Sequence, residues 1–398
     1  MNSAHVAIAA IAAVLFSCGS ARAQFADSFD GPAVDKAWAF FAGDGVAAMQ
    51  FVQRDGYASI LVDSTKDKRG IWWALIKRNV AGALDLSLLE KPRFAIRVEA
   101  RIRVSAAPRR VNLSLNTQRT TDFHRDLMEF DIPDSEGWHT ISFTDATLGA
   151  RPGDTVNAQL ALMDWGLGKY RVDIDYYRVD VVEASKAGPD KGVAVPYRPP
   201  IRKPAEFSER VPVSQDSMLD LTFSDINLNT WHVREEGRET PVLTVSGNQW
   251  AILRWDLSAW RGKQAEGSGL MELTTHSVAN ASTGMRDFGG VRVTEILGGD
   301  PAWDQKSVTL ETLAGGKPLD EVINPQMIID VEVAEDTLPV ERGSKVLVTI
   351  SRPVLQRLLD GRTNGIALKP LGAINASFYA SEHEHGRLAA RLLFNVRR

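Results

Sequence analysis

The 398-residue sequence is almost without cysteine, since Cys18 is its only one. One thiol excludes a disulfide framework and a zinc-thiolate cluster. If the leader that contains Cys18 is removed, a cysteine nucleophile is excluded as well. Stability must then come from packed apolar cores, and the length favours about two domains.

A large charge of either sign is also missing, because the formal net charge is -4. Without Arg22, which precedes the leader's end, 45 basic side chains face 50 acidic ones. Such a weak balance argues against nucleic acid and against a membrane surface as partners. No apolar run has the length of a transmembrane helix, and no P-loop, dinucleotide glycine motif or nucleophile elbow occurs.

The first 23 residues are typical of a signal peptide. The apolar run from Val6 to Phe16 is too short to span a bilayer, and Ala21-Arg22-Ala23 fits a cleavage site. We expect a mature chain that begins at Gln24 and is secreted, periplasmic or on the cell surface of a bacterium. An alternative stays open: Leu15–Cys18 is similar to a lipoprotein box, which would add a lipid anchor at Cys18.

The predicted fold class is all-β, with two antiparallel β-sandwich, jelly-roll-like domains. Segments 57–62, 94–104, 111–115, 138–143, 158–162 and 170–176 alternate polar and apolar residues or are rich in β-formers. Segments 243–245, 291–297, 327–333 and 345–350 do the same. The Pro- and Gly-rich stretch 185–213 has no periodicity, and it predicts a semi-rigid linker between domains 24–184 and 214–398.

The last third of the chain predicts a series of strands at 251–257, 307–310, 365–369 and 376–382. One segment, 352–361, predicts a helix, because Pro353 suits a first turn and Gly361 a C-terminal stop. This order of strands resembles the extracellular DNRLRE-type β-sandwich. That resemblance implies a location outside the cell and a role with polysaccharides.

The first domain has an acidic first strand at Phe25–Asp30 with Trp38, a Trp-bearing strand at Gly70–Leu75 and a closing Asp-rich strand from Tyr170 to Val179. This order resembles jelly-roll carbohydrate-binding modules of families 4 and 22. That resemblance implies sugar binding. Sugar rings stack on aromatic faces, so Trp72 and Trp165 are predicted to lie at the binding groove.

Polar side chains alternate along the strand that begins at Val111. Asn112, Ser114, Asn116 and Gln118 are predicted to share the face opposite the core, where neutral amides and hydroxyls suit glycan hydroxyls. In the loop that follows, Arg119, His124 and Arg125 are predicted to bind a carboxylate or sulfate.

Two catalytic alternatives stay open. A β-elimination lyase needs a carboxylate-neutralising group and a base, and the chain offers Asn116, Arg119, His124 and Tyr170. The run Glu129-Phe-Asp131-Ile-Pro-Asp134 resembles the acidic strand of family 16 laminarinase-type hydrolases, which would make Glu129, Asp131 and Asp134 catalytic. Pro133 and the short Asp134 side chain depart from that pattern.

Carbohydrate-binding modules of this type often hold a structural calcium ion, and this resemblance implies ligands at Asp27, Asp30, Asp173 and Asp175. No other cofactor is expected. The leading interpretation is a non-catalytic, secreted protein that binds an extracellular, anionic polysaccharide. A lyase or hydrolase in the first domain comes second, and a structural cell-surface protein third.

Overall fold

A computed structural model describes residues 24–43, 46–67, 73–163, 168–197, 199–280, 289–332 and 338–397. Antiparallel strands dominate it, which confirms the all-β prediction. No helix in these ranges is both long and apolar enough to cross a membrane.

The N-terminal unit consists of two antiparallel sheets that enclose one core. Its strands are β1 Phe25–Asp27, β2 Ala39–Gly43, β3 Ala48–Arg54, β4 Tyr57–Asp63, β5 Trp73–Asn79, β6 Phe94–Val104, β7 Arg109–Asn116, β8 Leu127–Ile132, β9 His139–Asp145, β10 Asn157–Met163, β11 Lys169–Glu183 and β12 Val193–Val195. One sheet has the order β3-β4-β11-β6-β9, with β1 on β11. The other has the order β12-β8-β7-β10-β5-β2.

Alternation along these strands explains how the two sheets pack. On β6, Ile96, Val98, Ala100 and Ile102 are fully buried in the core, while the charged residues between them point outwards. On β7, Val111, Leu113 and Leu115 enter the same core. Apolar burial between the sheets, at about 25 cal/mol per Å², therefore fixes which face of β7 points away from the core.

The C-terminal unit is also built mainly from antiparallel strands. They are β13 Glu209–Pro212, β14 Gln215–Asp220, β15 His232–Glu235, β16 Arg238–Ser246, β17 Gln249–Arg254, β18 Gly269–Asn280, β19 Gly289–Ile296, β20 Ile323–Glu332, β21 Lys345–Ile350, β22 Ile366–Gly372, β23 Ile374–Tyr379 and β24 Arg391–Phe394. Its α-helices are α1 Leu310–Ala314, α2 Leu319–Val322 and α3 Arg352–Asp360. The strand order is β13-β24-β18-β23-β16-β17-β22-β19-β20.

The predicted helix near residue 352 is confirmed as α3. A proline lies in its first turn, and Gly361 ends it in the left-handed conformation at φ 65°. The strand predicted at 307–310 is wrong, because that segment leads into α1. Thr309 accepts a hydrogen bond from the amide of Thr312, and this N-cap starts a helix that the β-branched Val308 and Thr309 did not suggest.

The segment predicted as a linker, 185–213, contributes one strand to each unit. β12 pairs with β8, and β13 pairs with β24. The connection without strand pairing is therefore shorter than the predicted spacer. The predicted domain boundaries at 184 and 214 themselves stay a prediction.

The two units meet where β7 begins and β8 ends. The side-chain amide of Gln326 accepts a hydrogen bond from the Arg110 amide and donates one to the Arg110 carbonyl, in the manner of a paired strand. Arg109 donates to Asn324 over 3.0 Å. Arg357, on α3, donates to both oxygens of Asp131 over 2.8 and 3.0 Å. The second unit therefore covers this end of the sheet.

A pair of glycines tests the packing around α1 and α2. An alanine Cβ at Gly299 would lie 2.1 Å from the Leu313 carbonyl oxygen, whereas nothing lies within 4 Å of one at Gly343. Both have positive φ, at 77° and 84°. We expect Gly343→Ala to cost about 1–2 kcal/mol for the left-handed backbone alone. Gly299→Ala should cost roughly 1–3 kcal/mol more, from the clash. Urea denaturation measures the difference, and equal losses would contradict the packing.

Candidate functional site

The polar face predicted on β7 exists, but it is not open to solvent. Asn112 and Asn116 do point away from the core, yet they are only 3% and 5% exposed. Asn116 accepts a hydrogen bond from Asn157 on β10 over 3.2 Å. Next to this pair, the buried Gln159 side chain has an amide nitrogen with no hydrogen-bond partner among the described residues. The orientation of these amides was predicted correctly, and their exposure was not.

The acids of the hydrolase prediction lie beneath the second unit. Glu129 forms a buried ion pair with Arg110 over 2.8 Å. Asp131 is held by Arg357, which also binds Glu295 over 2.8 Å. Because arginines cover these two carboxylates, they do not flank a space for a sugar. The structure does not support a hydrolase site here.

Asp134, the third acid of that set, lies beyond β8 and contacts His139 over 3.1 Å. Burial alone would raise the pKa of Asp134, but hydrogen bonds from the Glu136 amide and from His139 bring it below its ordinary value. A general acid needs the opposite shift. This is a second argument against the hydrolase alternative.

The residues of the lyase prediction are not brought together. The Tyr170 ring is in the core, where the Arg109 guanidinium lies 6.0 Å from its centre. Asn116 lies at the other end of β7, about 23 Å away along a strand that rises about 3.3 Å per residue. Burial raises the pKa of Tyr170 far above its ordinary value, which disfavours its use as a base.

A polar cleft at the other end of the sandwich does collect part of the predicted site. It has a volume of about 340 Å³ and lies between the β7–β8 and β9–β10 loops. Three arginines, Arg119, Arg125 and Arg151, line it. We call it the arginine cleft. The rest of its lining consists of four threonines, two aspartates, a leucine and a glycine: Thr117, Thr120, Thr121, Thr147, Asp122, Asp126, Leu148 and Gly149.

Asp154 ties the two loops of the arginine cleft together. It accepts hydrogen bonds from the Gln118 side chain over 2.6 Å, from Arg119 over 2.7 Å and from the Arg151 amide over 2.7 Å. The Arg151 amide first, then Gln118 and Arg119, hold the pKa of Asp154 below its ordinary value. Gln118, predicted as a glycan ligand, is therefore engaged in holding the loops.

The three guanidinium groups differ in how many hydrogen bonds they donate within the protein. Arg119 also donates to the Gly149 carbonyl over 2.9 Å, and Arg125 donates to the Thr147 carbonyl over 2.5 Å. Their side chains are nonetheless 47% and 58% exposed. Arg151 is exposed, and its guanidinium makes no hydrogen bond or ion pair within the described residues. Each arginine thus keeps donors that can face a ligand.

An acid lies at the floor of the arginine cleft. Asp126 is 5% exposed and has Asp145 as its neighbour. Burial first, then the Asp145 charge and a hydrogen bond with it, raise the pKa of Asp126 to about 6. The floor of the cleft therefore changes charge near neutral pH.

His124 lies beside the arginine cleft and not in its lining. Its ring stacks on that of Tyr197, which follows β12, with ring centres 4.2 Å apart and an angle of 12°. The predicted Trp72 and Trp165 lie outside the described residues. Sequence reasoning missed Arg151 and Tyr197, because nothing in the sequence shows that residues about 30 to 70 positions further along the chain meet the β7–β8 loop.

The four aspartates predicted to bind calcium have other partners. Asp27 accepts hydrogen bonds from Trp38 and from the Phe29 amide, and Asp30 accepts one from Ser28. Two arginines pair with Asp173, and Arg101 pairs with Asp175, which lies at a bulge between β11 and β6. Among the residues described, no group of three or more acids or histidines is placed to hold a metal ion. The calcium site stays a prediction.

No protein-family model matches the sequence, and no curated protein is significantly similar to it. Among solved structures, the chain is similar to a family 11 carbohydrate-binding module from Clostridium thermocellum, crystallised with a β-1,3-1,4-mixed-linked tetrasaccharide, at 12% identity and a TM-score of 0.25. That match covers 39% of this chain and 92% of the module.

Two further solved structures match with similarly low identity and TM-score. The xylan-binding family 22 module from Paenibacillus barcinonensis has 12% identity and a TM-score of 0.24, over 41% of this chain and 96% of the module. A β-1,3-glucanase from Mycobacterium marinum has 16% identity and a TM-score of 0.23, over 40% of this chain and 99% of that one. Similarity this low carries no conclusion about what this chain does.

Proposed function

We propose that this protein is secreted and binds an extracellular, anionic polysaccharide through the arginine cleft. The observation that carries the proposal is the convergence of Arg119, Arg125 and Arg151 from two loops on one cleft. Guanidinium groups bind carboxylates and sulfates through paired N–H donors, and such charge-assisted hydrogen bonds are about twice as strong as neutral ones.

The threonine lining favours a sugar over other anions. Hydroxyl groups both donate and accept, so they match the hydroxyls of a uronate or a sulfated sugar. The cleft volume of about 340 Å³ falls within the usual range of ligand sites, roughly 300–1,000 Å³. Because the chain as a whole is weakly acidic, the binding of an anion would depend on a local cluster of positive charge such as this one.

Affinity gel electrophoresis with alginate, polygalacturonate, chondroitin sulfate and neutral laminarin tests the proposal. We expect retardation by at least one acidic polysaccharide and none by laminarin, and the retardation should weaken as salt screens the charges. The release of unsaturated uronates, followed by absorbance, would reveal a lyase instead. Free passage through every acidic gel would refute the proposal.

Arg151→Gln is the sharpest single variant, because this guanidinium makes no hydrogen bond or ion pair within the described residues and acts on Asp154 through its charge. We expect it to weaken binding by roughly 10- to 100-fold, the value of about 1.5–3 kcal/mol for a hydrogen bond to a charged group. Exposed Arg352, in the second unit, supplies a matched control. Arg352→Gln should bind like the wild type, and equal losses in both variants would indicate a general charge effect.

A further inference from the structure

The floor of the arginine cleft contains two carboxyl groups that share one donor. Thr147 donates to Asp145 through its amide over 2.6 Å and through its hydroxyl over 2.8 Å. The same hydroxyl lies 3.4 Å from an Asp126 oxygen. Asp126 and Asp145 are 5% and 9% exposed. Because one hydroxyl reaches both of them, the two carboxyl groups are neighbours.

Two adjacent buried carboxylates repel each other, so one proton between them is the stable arrangement. The second oxygen of Asp145 is buried and accepts no hydrogen bond from the described residues. A proton held on Asp126 would satisfy it. The raised pKa of Asp126, about 6, agrees with this arrangement.

The charged groups around this pair come from two loops. Arg125, on the same loop, has its Nε 3.6 Å from Asp126, and its side chain is 58% exposed. Arg119 and Asp122 line the cleft from that loop, and Arg151 lines it from the β9–β10 loop. His124 lies outside the lining, with Nδ1 3.5 Å from Asp122. The exposed arginines are therefore the ligand's partners, while the acid pair is beneath them.

From this geometry we propose that the Asp126–Asp145 pair makes anion binding in the arginine cleft depend on pH, with tighter binding in weakly acidic solution. The inference rests on the proposed function. When the pair holds a proton it carries one negative charge, and when it loses that proton it carries two. The second charge lies below a bound anion, so it opposes binding. By linkage, a bound anion also favours uptake of that proton.

The direction and size follow from the charges. Binding should be strongest below about pH 5 and should weaken as the pH rises through about 6, where the pair loses its proton. One added charge beneath the ligand, in a partly solvated site, changes affinity by roughly 3- to 10-fold. A sulfated ligand keeps its own charge throughout this range, so the change would come from the protein.

Titration of the full chain with chondroitin sulfate at about pH 5 and about pH 7.5, at constant ionic strength, tests the proposal. We expect the wild type to bind roughly 3- to 10-fold more tightly at the lower pH. Asp145→Asn keeps the oxygen that accepts from Thr147 and cannot lose a proton. Burial still raises the pKa of Asp126 in this variant but the Asp145 charge no longer does, so its binding should depend on pH clearly less than that of the wild type.

His124→Gln shows whether an imidazole is responsible instead, and it should keep the pH dependence of the wild type. Should Asp145→Asn fail to fold, Asp126→Asn removes the same charge. Equal wild-type affinities at the two pH values, or an Asp145→Asn variant that is as pH-dependent as the wild type, would overturn the inference alone. An absence of binding to every acidic glycan at either pH would instead overturn the proposed function.

Discussion

Arg357→Met is expected to destabilise the folded protein by about 3–5 kcal/mol, the usual cost of removing one partner from a buried ion pair. The Arg357 side chain is 8% exposed and makes two hydrogen bonds to Asp131 and two to Glu295. Those carboxylates are themselves 5% and 2% exposed, so the variant leaves two buried charges without a cation. Urea denaturation followed by tryptophan fluorescence measures the loss.

In the wild type, Arg357 does not lose its positive charge. Burial alone would lower the pKa of Arg357, but the Glu295 and Asp131 carboxylates raise it above its ordinary value. The guanidinium therefore stays charged at every pH at which the protein folds. Arg352→Met, at an exposed position on the same helix, should change stability by less than about 0.5 kcal/mol.

The same cluster joins the two units. The stability of a triple variant gives a second test of it. Asp131 belongs to β8 of the first unit and Arg357 to α3 of the second. Adding Asp131→Leu and Glu295→Leu to Arg357→Met removes the uncompensated charges and should recover much of the lost stability, since apolar replacements of buried ion clusters are often neutral. A triple variant no more stable than Arg357→Met would contradict this account.

Most strands could be predicted because their local signals agree with the fold. β6 has the bounds predicted for it, Phe94–Val104. Polar and apolar residues alternate along its length, and the core on one side of the strand buries the apolar ones. Near residue 307 the local signals conflict. Val308 and Thr309 favour a strand, but the cap at Thr309 and the packing of α1 against Val322 decide for a helix.

The candidate site was only partly predictable, for a physical reason. Alternation shows which residues of β7 leave the core, but it does not show what covers them. Gln326, more than 200 residues away in sequence, pairs with the backbone at Arg110. It belongs to the second unit, which covers this end of β7. Arg119 and Arg125 could be predicted because local sequence alone indicates that a loop after a polar strand is exposed. Arg151 joins them only through the fold.

The last expectation concerns how the arginine cleft would hold its ligand, through fixed hydrogen-bond geometry or through charge alone. The variant Arg125→Gln/Arg151→Gln loses both, and it should bind chondroitin sulfate roughly 100- to 1,000-fold more weakly, from about 1.5–3 kcal/mol for each arginine less some shared loss. Arg125→Lys/Arg151→Lys keeps the charge and loses the planar pair of donors.

If geometry matters, the lysine variant should fall between the wild type and the glutamine variant, at roughly a tenfold loss. Its affinity should also keep the salt dependence of the wild type, whereas the glutamine variant should be less sensitive to salt because two charges are gone. Titration calorimetry at low and moderate salt separates the two effects. A glutamine variant within twofold of the wild type would place the glycan elsewhere on the protein.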